Sequence, residues 1–264
     1  MPSVTLLNFP ESQFEVISGS SPQFTELLTA FAGPDAVSGL RVITPYIVIV
    51  KNNSTATARS ITVIWTTVNA NGQPRQKTVQ YVVKPGISPD EMALMSPISG
   101  LCLYMENSAT DQNAAQSKPP TLRNTPRLSE VMTNFLREFT QGPEVSISLD
   151  SVIFRDNTFL GPDHAGKFEE ENSERRTKRE VVTALLNQAP SERSAYLRRT
   201  IDDPHSKDAS VTSELGQRHR IAEMLLQATA PGRDEALFRR SMENILNDEA
   251  HPIRRRAQSW TEDK

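Results

Sequence analysis

The sequence predicts an α+β chain, with an N-terminal antiparallel β-sandwich followed by a charged C-terminal helical region. Three observations carry this. Short apolar runs before residue 160 alternate with period two, as half-buried strands do. Turn-forming residues join them, without the crossover helices a parallel sheet requires. Charge then becomes much denser: residues 1–160 hold 11 Lys/Arg and 13 Asp/Glu, and residues 161–264 hold 18 and 19. Neither part is polarised in sign, which is the composition of solvated helix faces. The expected divisions are 1–160 for the sandwich domain, 161–250 for the helical region and 251–264 for a flexible tail.

The elements follow in order. SPQFTELLTAFAG predicts an accessory helix near 22–32, with Phe24, Leu27, Leu28 and Phe31 on one stripe. Ser21 stands at its N-cap, Pro22 at its first position and Gly33 at its C-terminal cap. ITPYIVIV (43–50) is a continuous β-branched run. SITVIWTTV (60–68) places Ile61, Val63 and Trp65 on one face. KTVQYVV (77–83) aligns Val79, Tyr81 and Val83. KNNSTATA and NANGQP supply the turns between them, the latter through an Asn-Gly step. PGISPDE (85–91) breaks the chain and ISGLCLYM (98–105) resumes it. In VSISLDSVIF (145–154) the apolar set changes parity between Leu149 and Val152, which predicts a bulge at Asp150-Ser151. A long polar loop is expected at 107–126, and a second accessory helix near 127–139. The strand texture resembles immunoglobulin-like and fibronectin-type modules, without a Cys…Trp…Cys signature.

After residue 160 the periodicity turns helical. GKFEEENSERRTKREVVTALLNQ carries Glu171/Arg175, Glu174/Lys178 and Arg176/Glu180 four apart, and apolar residues only at its end. Its front is expected to be solvated. Further helices are expected over 191–201, 210–229 and 233–248. Val211, Leu215, Ala222, Leu225 and Leu226 align in the second of these, and Leu237, Phe238, Met242, Ile245 and Leu246 in the third.

Composition narrows the functional classes. The 264 residues are 37% hydrophobic and 23% charged, with formal net charge −3. This gives no general attraction to nucleic acid or anionic membranes. No stretch approaches the ~20 apolar residues a spanning helix needs. The N-terminus lacks a basic segment before an apolar core, so a soluble, cytoplasmic chain is expected. One cysteine, Cys102 in LCLYM, excludes an intramolecular disulfide and reads as a buried thiol. Asn52 and Asn53 both fit the glycosylation sequon, which matters only on a glycosylating route.

One motif suggests nucleotide chemistry. GPDHAGK (161–167) has the Gly-x-x-x-x-Gly-Lys spacing of a phosphate loop, but Phe168 stands where a Mg²⁺-binding hydroxyl belongs. Glu169, Glu170 and Glu171 follow and would repel a polyphosphate. The expected alternative is a turn at Gly161-Pro162, a cap at Asp163 and then a helix. His164, His205, His219 and His251 share no zinc-like spacing, and no nucleophile motif is present. IDDPHSKD reads as a turn between helices. No cofactor or metal is expected.

Basic pairs such as Arg175-Arg176 and Arg239-Arg240 are interleaved with acids. Only Arg254, Arg255 and Arg256, with Trp260, form a cluster suited to gripping a partner. The expected role is therefore a non-catalytic protein-interaction or structural module whose partner is another protein. One alternative is a hydrolase or metal-dependent enzyme at the sandwich–helix junction, around Asp163, His164 and Lys167. The other is a nucleic-acid binder that uses the arginine-rich helical half.

Overall fold

The computed structural model describes residues 3–9, 13–68, 71–98, 101–105, 144–207, 209–229 and 234–256. The expected loop at 107–126, the second accessory helix and Trp260 lie outside the described residues. The chain divides into two compact units, Met1–Ala165 with Arg255–Lys264, and Gly166–Arg254.

The first unit is built on two open, largely antiparallel sheets. Its strands are β1 (Ser3–Leu7), β2 (Phe14–Ser18), β3 (Val48–Asn52), β4 (Ala58–Val68) and β5 (Pro74–Ile87). They continue as β6 (Met92–Met95), β7 (Leu103–Met105), β8 (Glu144–Phe154), β9 (Thr158–Leu160) and β10 (Arg254–Arg255). One sheet runs β10-β9-β8-β4-β5, with β1 also beside β8, and the other runs β2-β3-β6-β7. One hydrophobic cluster draws on both: Val48 and Val50 of β3 and Met95 of β6 join Ile61, Val63 and Trp65 of β4. Val79 and Tyr81 pack against this cluster with Val83, as their period-two spacing predicts.

The opposite face of the second sheet is apolar as well. Ile17, Ile49 and Leu94 meet Phe24 and Leu28 of α1 (Pro22–Ala32) and Leu40 of α2 (Pro34–Leu40). The α1 boundaries match the sequence expectation. Ser21 Oγ accepts the Phe24 N–H at 3.2 Å, Pro22 opens the helix and Gly33 ends it.

Features at both ends of the described chain differ from expectation. β1 pairs with β8 in parallel, from Ser3↔Glu144 to Leu7↔Ser148. No hairpin links these strands, so no turn dictates their direction. Residues 251–256 are also not a loose tail, because Ile253 is buried and Arg254–Arg255 forms β10.

The second unit contains α3 (Lys167–Leu186), α4 (Arg193–Asp202), α5 (Pro204–Lys207), α6 (Glu214–Leu226) and α7 (Glu235–Asp248). Its core joins Val181, Val182 and Leu185 of α3 to Leu197, Ile221, Leu225, Phe238 and Met242. The front of α3 is not solvated as expected. Ser173 and Thr177 donate to the buried Gln217 at 3.1 and 3.3 Å. Arg175, also buried, donates to the carbonyls of Asp248 and His251 at 3.2 and 3.0 Å. Charges chosen by i,i+4 spacing pair across helices instead: Glu174 with Arg220, Lys178 with Glu249 and Glu180 with Arg218. Val211, Leu215 and Leu237, expected on core stripes, are exposed. α6 starts only at Glu214, which leaves Val211 before the helix and off its stripe.

Candidate functional site

The loop that carries Asp163 and His164 is held from β8. The pairing of β4 with β8 steps from Thr62↔Ser151 to Val63↔Leu149, which leaves Asp150 as the extra residue of a bulge. This is where the parity change places it. The bulge also marks a change of neighbour, because β1 covers β8 up to Ser148 and β9 covers it from Val152. Asp150 is 1% exposed. Its Oδ1 accepts the His164 N–H at 2.7 Å and its Oδ2 accepts the Ala165 N–H at 3.3 Å. Burial pushes the Asp150 carboxyl above its ordinary value, and the two N–H donors offset this only in part.

The loop it holds is tightly constrained. Gly161 has φ +124°, and a Cβ there would stand 2.2 Å from the Asp150 carbonyl oxygen. Asp163 has φ +65°, and its side chain is 5% exposed. Asp163 Oδ2 accepts from Arg255 Nη2 at 2.8 Å. The Arg255 guanidinium lies 5.4 Å from the Phe159 ring centroid. Asp163 is therefore not the expected helix cap. The N-cap of α3 is Gly166, without a side-chain cap bond.

The three junction candidates have different surroundings. Asp163 is bound to Arg255, His164 is exposed with its backbone tied to Asp150, and Lys167 pairs with Glu170 on its own helix. The strand that leads into Gly161, β9, runs antiparallel to β8. That is not the parallel strand from which a mononucleotide loop springs. In IDDPHSKD, α4 ends at Asp202, the His205 N–H donates to Asp203 Oδ1 at 2.9 Å, and α5 starts at Pro204. His219 pairs with Glu223 on its own helix. Among the described residues no group of three or more His, Cys, Asp or Glu side chains is arranged to hold a metal ion.

The other candidates are as follows. Cys102 is partly buried, with Sγ 3.8 Å from the Ser96 carbonyl, and burial raises its thiol pKa. Asn52 is fully buried: its Nδ2 donates to the Ala56 and Ile87 carbonyls at 2.9 and 2.8 Å, and its Oδ1 accepts from Ser54. Of the two sequon residues only Asn53 is exposed. Arg254 and Arg256 are exposed beside the engaged Arg255. A hollow of about 530 Å³ lies on α3, lined by Arg176, Arg179, Glu180, Thr183, Ala184 and Asn187. Among the described residues no helix is long and apolar enough to cross a membrane. No protein-family model, curated protein or solved structure matches the chain.

The sequence reading missed the role of Asp150, although the parity change marked its position. Asp150→Asn provides the test. The folded carboxyl binds its proton more tightly than the unfolded one. Its contribution to stability is therefore full below the ordinary value of 3.8 and is lost as pH rises through the folded value. The stability of the native chain relative to Asp150→Asn is expected to fall across that window and to level off above it. Denaturant unfolding over a pH series, with an NMR titration of the Asp150 carboxyl carbon, measures both quantities.

Proposed function

We propose that the first unit is a β-sandwich serving as a non-catalytic interaction module that presents its surface to another protein. The observation that carries this reading is the use made of the junction's polar groups. Asp150 and Asp163 spend their carboxylates on backbone N–H groups and on Arg255, and Lys167 is paired with Glu170. Groups so engaged hold a loop in place rather than a substrate. A cluster shared by both sheets supplies the rigid body on which such a surface is displayed. The nucleic-acid reading draws less support, because Arg218, Arg220, Arg239 and Arg255 are each neutralised by a carboxylate.

The purified full chain, assayed against ester, phosphoester and peptide substrates with and without divalent metals, is expected to give no turnover. Turnover that disappears in Asp163→Asn or His164→Ala would overturn the reading. Cross-linking of the full chain in its native extract is expected to capture a protein partner through residues of the first unit.

A further inference from the structure

We propose that β5 is a docking edge for an extended, acidic segment of a partner protein, which adds to the sheet beyond β5 as a further strand. This rests on the interaction-module reading and names the surface. β5 ends its sheet, and among the described residues its only strand neighbour is β4. At 14 residues it is the longest strand among the described residues. Its register against β4 is unbroken from Pro74↔Val68 to Val82↔Ser60. Along such an edge, alternate residues direct N–H and C=O groups away from the sheet, and these form a template for another strand.

The side chains specify the partner's chemistry. Residues 74–78 are exposed, and Val82 is 52% exposed. β5 carries Arg75, Lys77 and Lys84 and no Asp or Glu. Neither Arg75 nor Lys77 has a carboxylate partner among the described residues. They share the parity of Val79 and Tyr81, so a strand added here places two residues, two apart, beside two cations that no described carboxylate neutralises. Opposite charges on neighbouring strands stabilise pairing and like charges oppose it. A second copy of this chain would bring the same cations to the interface and no anion. Pro74 and Pro85 lack N–H groups and bracket the segment that can pair.

The test uses two peptides with blocked ends, Glu-Thr-Glu-Thr-Val-Thr-Val and its Lys-for-Glu counterpart, each also in reversed order to cover both strand directions. NMR titration of the isotope-labelled full chain is expected to shift residues 74–83 and slow their amide exchange with the Glu peptide, and less so as salt is added. Arg75→Glu with Lys77→Glu changes only exposed side chains. It is expected to weaken the Glu peptide by about tenfold and to strengthen the Lys peptide. The proposal is overturned if β5 stays silent to both peptides, if the shifts fall elsewhere, or if sedimentation shows the chain pairing with itself through β5. A partner cross-linked to another face would sink the docking edge and leave the interaction module standing, whereas turnover at the junction would remove the module itself.

Discussion

Gly161→Ala is expected to destabilise the first unit by roughly 3 kcal/mol or more, the combined effect of backbone strain and overpacking. Two causes act together. At φ +124° an L side chain is strained whatever the space around it. The space is also filled by backbone, because a Cβ would meet the Asp150 carbonyl oxygen at 2.2 Å and Ser151 Cα at 2.9 Å. Neither atom can swing away as a flexible side chain does. The bulge would have to open, and with it the Asp150 bonds to His164 and Ala165. Gly72→Ala is the control: its φ is +75°, and a Cβ there would meet nothing within 4 Å. Strain alone gives about 1 kcal/mol there. Denaturant midpoints compare the two, and amide shifts at His164 and Ala165 show whether the bulge has moved. Equal losses in both variants would mean that Gly161 does not pack against the bulge.

This loop shows how far the sequence reads. The bulge is legible because the apolar positions of VSISLDSVIF must face one core, and one extra residue reverses their parity. The α1 helix is legible because Ser21, Pro22 and Gly33 act locally and need no distant partner. Ile61, Val63 and Trp65 share a face for the same reason. Several of the missed features depend on distant residues. β1 finds β8 across most of the first unit, in a direction no turn specifies. Asp163 has the residue type of a cap, yet its carboxylate meets Arg255 from the far end of the chain. The front of α3 looks solvated by composition. Arg175 is buried there and donates to the carbonyls of Asp248, at the end of α7, and of His251 beyond it. Asn52 reads as a sequon residue until its amide is seen to satisfy the Ala56 and Ile87 carbonyls. Local period thus predicts elements such as α1, β4 and β5, while charge and amide chemistry stay ambiguous until the fold supplies partners.

Trp65→Ala is expected to cost roughly 3–5 kcal/mol, the range for deleting a buried aromatic. Trp65 is 0% exposed at the middle of β4, within the cluster that draws on both sheets. Its Nε1–H donates to the Tyr46 carbonyl at 2.8 Å. Tyr46 ends the short turn Thr44–Tyr46, just before β3. One side chain of the first sheet thus holds the chain where it enters the second. Trp65→Phe separates the two contributions. It retains most of the apolar contact and leaves the Tyr46 carbonyl without its indole donor, at about 1–3 kcal/mol. Calorimetry on both variants reads the difference, and alanine is expected to lower the Tm of the first unit by roughly 10 °C. If the sheets face each other across one core, both variants lower the same transition and leave that of the helical unit unchanged. A Trp65→Ala loss below about 1 kcal/mol, typical of a surface site, would mean that the two sheets do not share a core. The sandwich would then fall, and with it the rigid surface on which the interaction reading depends.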